Sequence, residues 1–87
     1  MRAVAPMARR KITLAGRALA RALGQVIRKR RHARGLSQEA LAELAGFHRT
    51  QVGFLERGER IPSVETVVSA ANALGTKASE LLRAIGF

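Results

Sequence analysis

Arginine and lysine side chains dominate the first third of this chain, and the chemistry open to them is the binding of anions. The net charge is +10 over 87 residues. Every acidic residue follows Arg31, so the whole charge excess lies within residues 1–31. A positive field this concentrated favours a polyanion such as DNA, RNA or an acidic membrane, whereas a solvated, solubilising tail is the simpler alternative. The basic residues of this segment are Arg2, Arg9, Arg10, Lys11, Arg17, Arg21, Arg28, Lys29, Arg30 and Arg31.

Residues that could support catalysis or hold a metal are scarce. The chain has no cysteine and no aspartate, and its two histidines, His32 and His48, do not stand at the spacing of metal ligands. Glu39 and Glu43 are neighbours on one face of a predicted helix, where solvated carboxylates are commoner than catalytic ones. We therefore expect no enzymatic activity, no metal site and no cofactor.

The composition predicts one small domain with an aliphatic core. Hydrophobic residues make up 47% of the chain and aromatic residues 3%, so leucine, alanine, valine and isoleucine should fill the core. No apolar run approaches the roughly 20 residues that a membrane span needs. The arginine-rich start also resembles a mitochondrial transit peptide, but no serine precedes Ser37. Because the chain lacks cysteine as well, we expect a cytoplasmic, nucleoid-associated protein of bacterial or phage origin, with no membrane partner.

Residues 1–16 are predicted to form a basic, flexible N-terminal arm, and residues 17–87 a single folded domain. The beginning of the arm lacks helical periodicity and contains a proline. Further on, apolar residues recur every three or four positions, as in an amphipathic helix. This helix starts near Leu14 or near Leu19 and ends before Gly35. Its apolar positions are Ala15, Ala18, Leu19, Ala22, Leu23, Val26 and Ile27.

Four shorter helices are predicted after the first. The second begins after Ser37, a favourable N-cap, and ends at Gly46. The third lies between His48, an unusual capping residue, and Gly58. The sequence therefore predicts a compact all-α domain of five helices. The later helices cover about 38–45, Arg49–Arg57, Val64–Leu74 and Ala78–Ala84, with Leu41, Ala42, Leu44, Ala45, Val52, Leu55, Val67, Val68, Ala71 and Leu74 turned inward.

The segment 35–58 predicts a helix-turn-helix, with the motif itself at residues 38–57. Two helices that cross at about 90–120° approach closely at one point, where only a small residue fits. The turn needs one residue with a positive φ, which glycine adopts most readily. The second helix needs apolar residues on its inner face, which leaves its outer face free to enter a DNA groove. The residues that meet these requirements are Ala42, Gly46, Val52 and Leu55.

The same segment resembles the Xre/Cro-like helix-turn-helix proteins, which include the lambda and 434 phage repressors. The resemblance extends from Leu23 to Leu82. It implies a five-helix repressor-type domain that binds double-stranded DNA as a homodimer, with helix Arg49–Arg57 in the major groove. It also implies a sequence-specific transcriptional regulator, repressor-like in action. The matching segments are LGQVIRKRR, RGLSQEALAELAG, LERG, PS and ALG.

The resemblance implies base contacts at the start of each motif helix, from Gln38, Arg49 and Thr50, whereas Gln51 and Phe54 are candidates because of their own places on the second helix. Arg49 can bond guanine O6 and N7 or only a phosphate, and Gln51 can bond adenine or a phosphate. Phe54 lies one turn after Thr50 and can pack on a thymine methyl group, or it can bridge to a neighbouring helix. Gln38 reaches a base edge or a phosphate, unless it is merely an exposed polar residue. The base-contact candidates are Gln38, Arg49, Thr50, Gln51 and Phe54.

Four residues are candidates for contacts to the DNA backbone, which position a protein without specifying sequence. Arg31 and Glu56 resemble the family's ion pair between the first helix and the recognition helix. Such a pair would hold Arg31 near the backbone, and an unpaired Glu56 is the alternative. His48 is either a phosphate contact or a simple turn residue. The candidates are Arg31, His48, Arg57 and Arg60.

The C-terminal residues form an apolar strip that we expect to serve in dimerisation, with simple packing over the core as the alternative. The strip consists of Leu81, Leu82, Ile85 and Phe87.

Three other functions stay open alongside the transcriptional regulator. The chain could be the antitoxin of a toxin–antitoxin pair, with a toxin partner and autoregulatory DNA binding. It could be the controller protein of a restriction–modification system. It could also be a nonspecific RNA- or membrane-binding peptide, in which case binding would depend steeply on salt and show no preferred sequence.

Overall fold

The computed structural model describes the backbone of residues 4–87 and the side chains of residues 16–87. Five helices follow one another along the chain. No strand occurs within this described part, so the predicted all-α, five-helix fold is confirmed. None of the helices found there combines the length and the hydropathy that crossing a bilayer requires. The helices are α1 (Val4–Ala33), α2 (Gln38–Ala45), α3 (Arg49–Arg57), α4 (Val64–Ala73) and α5 (Ala78–Ala84).

Helix α1 begins at Val4, earlier than either predicted start, Leu14 or Leu19. Pro6 lies in its first turn, where a missing backbone N–H removes no intrahelical hydrogen bond. A proline in this segment is therefore compatible with helix. Apart from Gly16, the predicted arm of residues 1–16 lies outside the residues whose side chains are described, and its flexibility and its role stay predictions.

Capping side chains set where α2 and α3 begin. The Oγ of Ser37 accepts a hydrogen bond from the backbone N–H of Ala40 at 3.0 Å, which satisfies one of the amides that a helix start leaves unpaired. Helix α2 ends at Gly46, whose φ of 76° is the left-handed conformation predicted for the turn. The Nδ1 of His48 accepts from the N–H of Thr50 at 3.4 Å, so the unusual cap predicted for α3 is confirmed.

The five helices close a ring around one core. Helix α1 packs on α3 and α5, and α2 packs on α3 and α4. A contact between α4 and α5 completes the ring. Each helix therefore turns one apolar stripe inward, as the amphipathic spacing predicts. The core residues are Leu23, Ile27, Leu41, Ala42, Val52, Leu55, Ala70, Ala71, Leu74 and Leu81.

Some residues predicted to face inward lie at the surface instead. Leu44 is 61% exposed and Val68 is 40% exposed. A short helix that packs on two neighbours buries only a narrow stripe, which on α2 consists of Leu41 and Ala42. On α1 the stripe includes Ala20, while Leu19 stands beside it and is exposed.

Leu81 belongs to the core and not to a dimer interface. Its side chain is fully buried, at 0% exposure, so the prediction that this residue serves in dimerisation is wrong. Because α5 turns Leu81 toward the core, two other residues of the apolar strip, Leu82 and Phe87, lie exposed at the surface. Ile85 is half-buried and packs against the core from outside.

Gly24 is the point where α1 meets the end of α3. A Cβ atom on Gly24 would collide with the backbone carbonyl oxygens of Leu55 and Glu56. The sequence presents this glycine only as a residue that weakens a helix, by about 1 kcal/mol relative to alanine. In the structure it permits backbone-to-backbone contact, and that contact fixes the orientation of α3 relative to α1.

Candidate nucleic-acid interface

Helix α3 has one buried face and one exposed face. Val52 and Leu55 lie in the core, whereas Arg49, Thr50 and Gln51 are exposed. The buried face holds the helix in place, and the exposed face carries hydrogen-bonding groups. The residues predicted to build the motif, Ala42, Gly46, Val52 and Leu55, occupy the positions that a helix-turn-helix requires.

A cleft of about 510 Å³ lies between the start of α2 and the outer face of α3. It brings together Gln38, Arg49 and Thr50, which were predicted to contact bases, and Arg57, which was predicted to contact the backbone. Gly53 lines the same cleft, and a Cβ atom there would lie 3.1 Å from Nη1 of Arg57. The glycine therefore leaves room for the Arg57 guanidinium group at the surface of α3.

Arg49 forms an ion pair that solvent weakens. Its Nη1 lies 3.1 Å from Oε2 of Glu39, and the two side chains are 67% and 69% exposed. Exposed pairs of this kind contribute about 0–1 kcal/mol. A bidentate bond to a base edge is stronger, so Arg49 can leave Glu39 when such a partner is present.

The Arg31–Glu56 ion pair is present and buried. The Nε of Arg31 donates to Oε2 of Glu56 at 2.6 Å, and Nη2 donates to Oε1 at 3.0 Å. Arg31 is 8% exposed and Glu56 is 6% exposed. Removing one member of a buried pair costs about 3–5 kcal/mol, because the other charge is left without compensation. The pair therefore ties α1 firmly to α3.

All the polar atoms of the Arg31 guanidinium group have partners within the protein. Besides the two bonds to Glu56, its Nη1 donates to the carbonyl oxygen of Leu36 at 2.8 Å, and its Nη2 lies 3.1 Å from Nε2 of His32. Each guanidinium nitrogen thus has a protein partner, and the group is buried. This geometry gives Arg31 a structural role and does not support the phosphate contact predicted for it.

Gln38 joins the same buried network. Its Nε2 donates to Oε1 of Glu56 at 3.0 Å. Because the amide nitrogen is held there, the side-chain orientation at the start of α2 is fixed, and the amide oxygen is directed away from Glu56. Gln38 therefore has a hydrogen-bond partner on α3, and its predicted contact to a base or a phosphate stays a prediction.

Phe54 and Gln51 line a second pocket, of about 350 Å³, between α3 and the loop that follows it. The guanidinium carbon of Arg60 lies 4.3 Å from the centroid of the Phe54 ring, and that of Arg57 lies 5.6 Å away. These are cation–π distances. Sequence reasoning missed this stack, because Arg60 lies in a loop where no helical spacing relates it to Phe54.

Arg57 is paired with Glu59 at the end of α3. Its Nε lies 2.8 Å from Oε2 of Glu59, and both side chains are about half exposed. The hydrogen bond between them raises the pKa of the Arg57 guanidinium and lowers the pKa of the Glu59 carboxyl, and charge attraction adds to both shifts. Arg57 is thus accessible to a phosphate, but a carboxylate already occupies it.

Much of the chain matches a known protein family. The helix-turn-helix model matches residues 27–81, which include the whole of α2, α3 and α4. The chain belongs to the helix-turn-helix family. The predicted resemblance to Xre/Cro-like proteins of this family is confirmed.

Two curated relatives are named as a control protein and a transcriptional regulator. The chain is 43% identical over 60 residues to control protein C.SmaI of Serratia marcescens, covering 69% of this chain and 71% of that protein. It is 38% identical over 58 residues to the HTH-type transcriptional regulator YazB of Bacillus subtilis, covering 67% of this chain and 84% of that protein.

Solved structures of the family also match this fold. The restriction-modification controller protein C.AhdI from Aeromonas hydrophila superimposes with a TM-score of 0.71 at 44% identity, covering 74% of this chain and 97% of that one. The clp gene regulator ClgR from C. glutamicum gives a TM-score of 0.72 at 32% identity, covering 76% of this chain and 86% of that one. These matches identify the chain as a DNA-binding regulator of the helix-turn-helix family.

Proposed function

We propose that this chain is a sequence-specific regulator of transcription that places α3 in the major groove of double-stranded DNA. The observation that carries the proposal is the outer face of α3, where Arg49, Thr50 and Gln51 are exposed on a helix held by its other face. A helix with its side chains is about 10–12 Å in diameter, and the major groove is about 12 Å wide. The face that enters the groove therefore carries side chains able to distinguish bases.

Charge supports binding to DNA over binding to a neutral partner. The net charge of +10 lies mostly before Arg31, and Arg57 and Arg60 add exposed cations beside α3. Basic residues that neutralise phosphates release counterions, so affinity should fall as salt concentration rises. In this proposal the basic first third supplies affinity, and α3 supplies specificity.

The regulator acts as a homodimer in this proposal. Leu82 is 39% exposed and Phe87 is 75% exposed, and together with Ile85 they line an apolar groove with Leu19 and Ile61. Burial of exposed leucine and phenylalanine against a second copy is favourable. Light scattering should give a dimer at tens of micromolar protein, and a monomer there would count against this interface.

A controller of a restriction–modification system is the more specific candidate. Its support is that C.AhdI, at 44% identity, is named a restriction-modification controller protein, and that C.SmaI, at 43% identity, is named a control protein. Genes for an endonuclease and a methyltransferase beside this gene would support it. The antitoxin hypothesis and its toxin partner stay predictions, and a neighbouring gene for a toxin would support them instead.

Selection of binding sites from a random DNA pool tests the proposed function. We expect enrichment of one motif, with half-sites about 10–10.5 base pairs apart if a dimer binds. A double variant, Arg49→Ala with Gln51→Ala, should keep the fold and lose the enrichment, since both residues are exposed. Parallel titrations with RNA and with anionic vesicles are the controls. Equal binding to all three polyanions, with no enriched motif, would overturn the proposal.

A further inference from the structure

The pocket beside Phe54 is mostly apolar although it lies at the outer face of α3. The Phe54 ring forms part of its wall, with Ile61 and Pro62 of the following loop. Thr50 and Gln51 of α3 line the same pocket. Its volume of about 350 Å³ admits the edge of a pyrimidine base with a substituent. An apolar cavity is thus placed next to residues that would contact bases.

The Phe54 ring is covered by the side chain of Arg60 at this surface. Phe54 and Thr50 are four residues apart on α3 and lie on the same face. The Arg60 guanidinium lies over the ring at 4.3 Å from its centroid. A cation over an aromatic ring is attracted to it, so Arg60 favours the position that the Phe54 ring takes in this pocket.

The chemistry of the major groove limits what can occupy such a pocket. Base edges there present hydrogen-bond donors and acceptors, and the apolar group among them is the 5-methyl group of thymine. Cytosine methylated at C5 carries the same group at the same place. An apolar wall next to base-contacting residues therefore matches the methyl group of thymine or 5-methylcytosine, whereas uracil and unmethylated cytosine carry only a hydrogen at C5 and bury less apolar surface there.

We propose that Phe54, held by Arg60, forms a subsite that selects for the 5-methyl group of a pyrimidine at one position of the binding site. The proposal rests on the proposed function, because it needs α3 to lie in the major groove. Phe54 determines specificity by contact with the methyl group. Arg60 is a positioning residue that keeps the ring in place.

The experiment starts from the motif that the random-pool selection enriches. Each thymine is replaced in turn by deoxyuridine, which removes only the methyl group, and each cytosine by 5-methylcytosine, which adds it. Binding of the whole chain is measured by fluorescence anisotropy. At one position we expect loss of the methyl group to weaken binding, or its addition to strengthen binding, by about fourfold, the effect of burying one methyl-sized group. The responding base identifies the source of the methyl group as thymine or 5-methylcytosine.

Three variants separate this subsite from general DNA binding. Phe54→Ala should bind methylated and unmethylated sites equally. Circular dichroism checks that this variant folds. If it does not fold, Phe54→Gln takes its place in the same binding measurement. Leu44→Ala removes an exposed side chain on α2, away from the pocket, and should keep the wild-type methyl preference. Arg60→Lys keeps the charge and loses the planar stack, so it should keep most of the affinity and lose most of the methyl preference.

Failure of the subsite differs from failure of the proposed function. If the wild-type chain binds its motif tightly but equally well with and without each methyl group, the subsite is absent while DNA recognition stands. The same conclusion follows if the folded Phe54 variants keep the wild-type methyl preference. If no motif is enriched at all, the proposed function has failed, and this subsite fails with it.

Discussion

Gln38 and Glu56 join the first residue of α2 to the last turn of α3 through a single hydrogen bond of 3.0 Å. The same carboxylate holds Arg31 of α1. Three helices therefore meet at one buried acid, and the start of α2 cannot move without disturbing the helix proposed to lie in the groove. This network positions the Gln38 side chain and the end of α3 in the DNA-free protein.

Loss of the buried acid should destabilise the fold. In Glu56→Ala, Arg31 would remain buried without its partner, and we expect a loss of about 3–5 kcal/mol in the free energy of unfolding. Urea denaturation followed by circular dichroism measures it. Glu39→Ala, which breaks an exposed pair with Arg49, is the matched control and should change stability by less than about 1 kcal/mol. Equal effects of the two substitutions would contradict the burial argument.

A methyl group at Gly24 should destabilise the protein even though alanine favours helix. The new Cβ would collide with the carbonyl oxygens at the end of α3, and overpacking of this kind costs about 1–3 kcal/mol. The melting temperature of Gly24→Ala should therefore be lower than that of the wild type. The neighbouring substitution Gln25→Ala, at an exposed position of α1, should leave melting unchanged. A Gly24→Ala protein as stable as the wild type would mean that α1 and α3 are further apart than described.

Arg49 and Arg57 should contribute differently to DNA binding. Arg49→Ala should relax specificity at one base position and lower affinity for the preferred base by about 1–3 kcal/mol. Arg57→Ala should weaken all sequences alike, because a phosphate contact carries no sequence information. Competition binding against single-base variants of the selected site distinguishes the two. A uniform loss in Arg49→Ala would make that residue a phosphate contact.

Removing the Glu59 carboxylate should strengthen DNA binding at neutral pH. Glu59→Gln leaves Arg57 without its acidic partner, so a phosphate meets no competitor. The pKa of Glu59 is lowered by its hydrogen bond to Arg57, so the pair is intact above the ordinary carboxyl pKa and is lost as pH falls through the lowered value. The affinity difference between wild type and variant should shrink over that acidic range. A difference that does not depend on pH would contradict the role of the carboxylate.

Local rules predicted the helix ends well but not the packing between helices. Ser37, Gly46 and Gly58 act through the backbone of their immediate neighbours, and the ends of α2 and α3 follow from them. The exposure of Leu44 does not follow, because both sides of α2 carry apolar residues and only the position of α3 and α4 decides which side is buried. The predicted start of α1 is wrong because a proline in the first turn of a helix, such as Pro6, does not break it.

In the candidate interface, too, the contacts between different helices and loops do not follow from local sequence rules. The Arg31–Glu56 pair came from the family resemblance, since no local spacing relates residues on α1 and α3. The stack of Arg60 on Phe54 cannot be predicted from the spacing of residues in the motif, because the position of Arg60 depends on the path of the loop after α3. The buried position of Leu81 reflects the rotation of α5 about its axis, which an apolar strip of four residues leaves undetermined.

The pairs Arg49–Glu39 and Arg57–Glu59 change what a salt titration can measure. In each pair an arginine already has an anionic partner, so contact with DNA exchanges one anion for another. The released carboxylate then attracts a cation from solution, which cancels part of the ion release that each phosphate contact produces. The slope of log affinity against log salt will therefore be smaller than the number of arginines that touch the DNA.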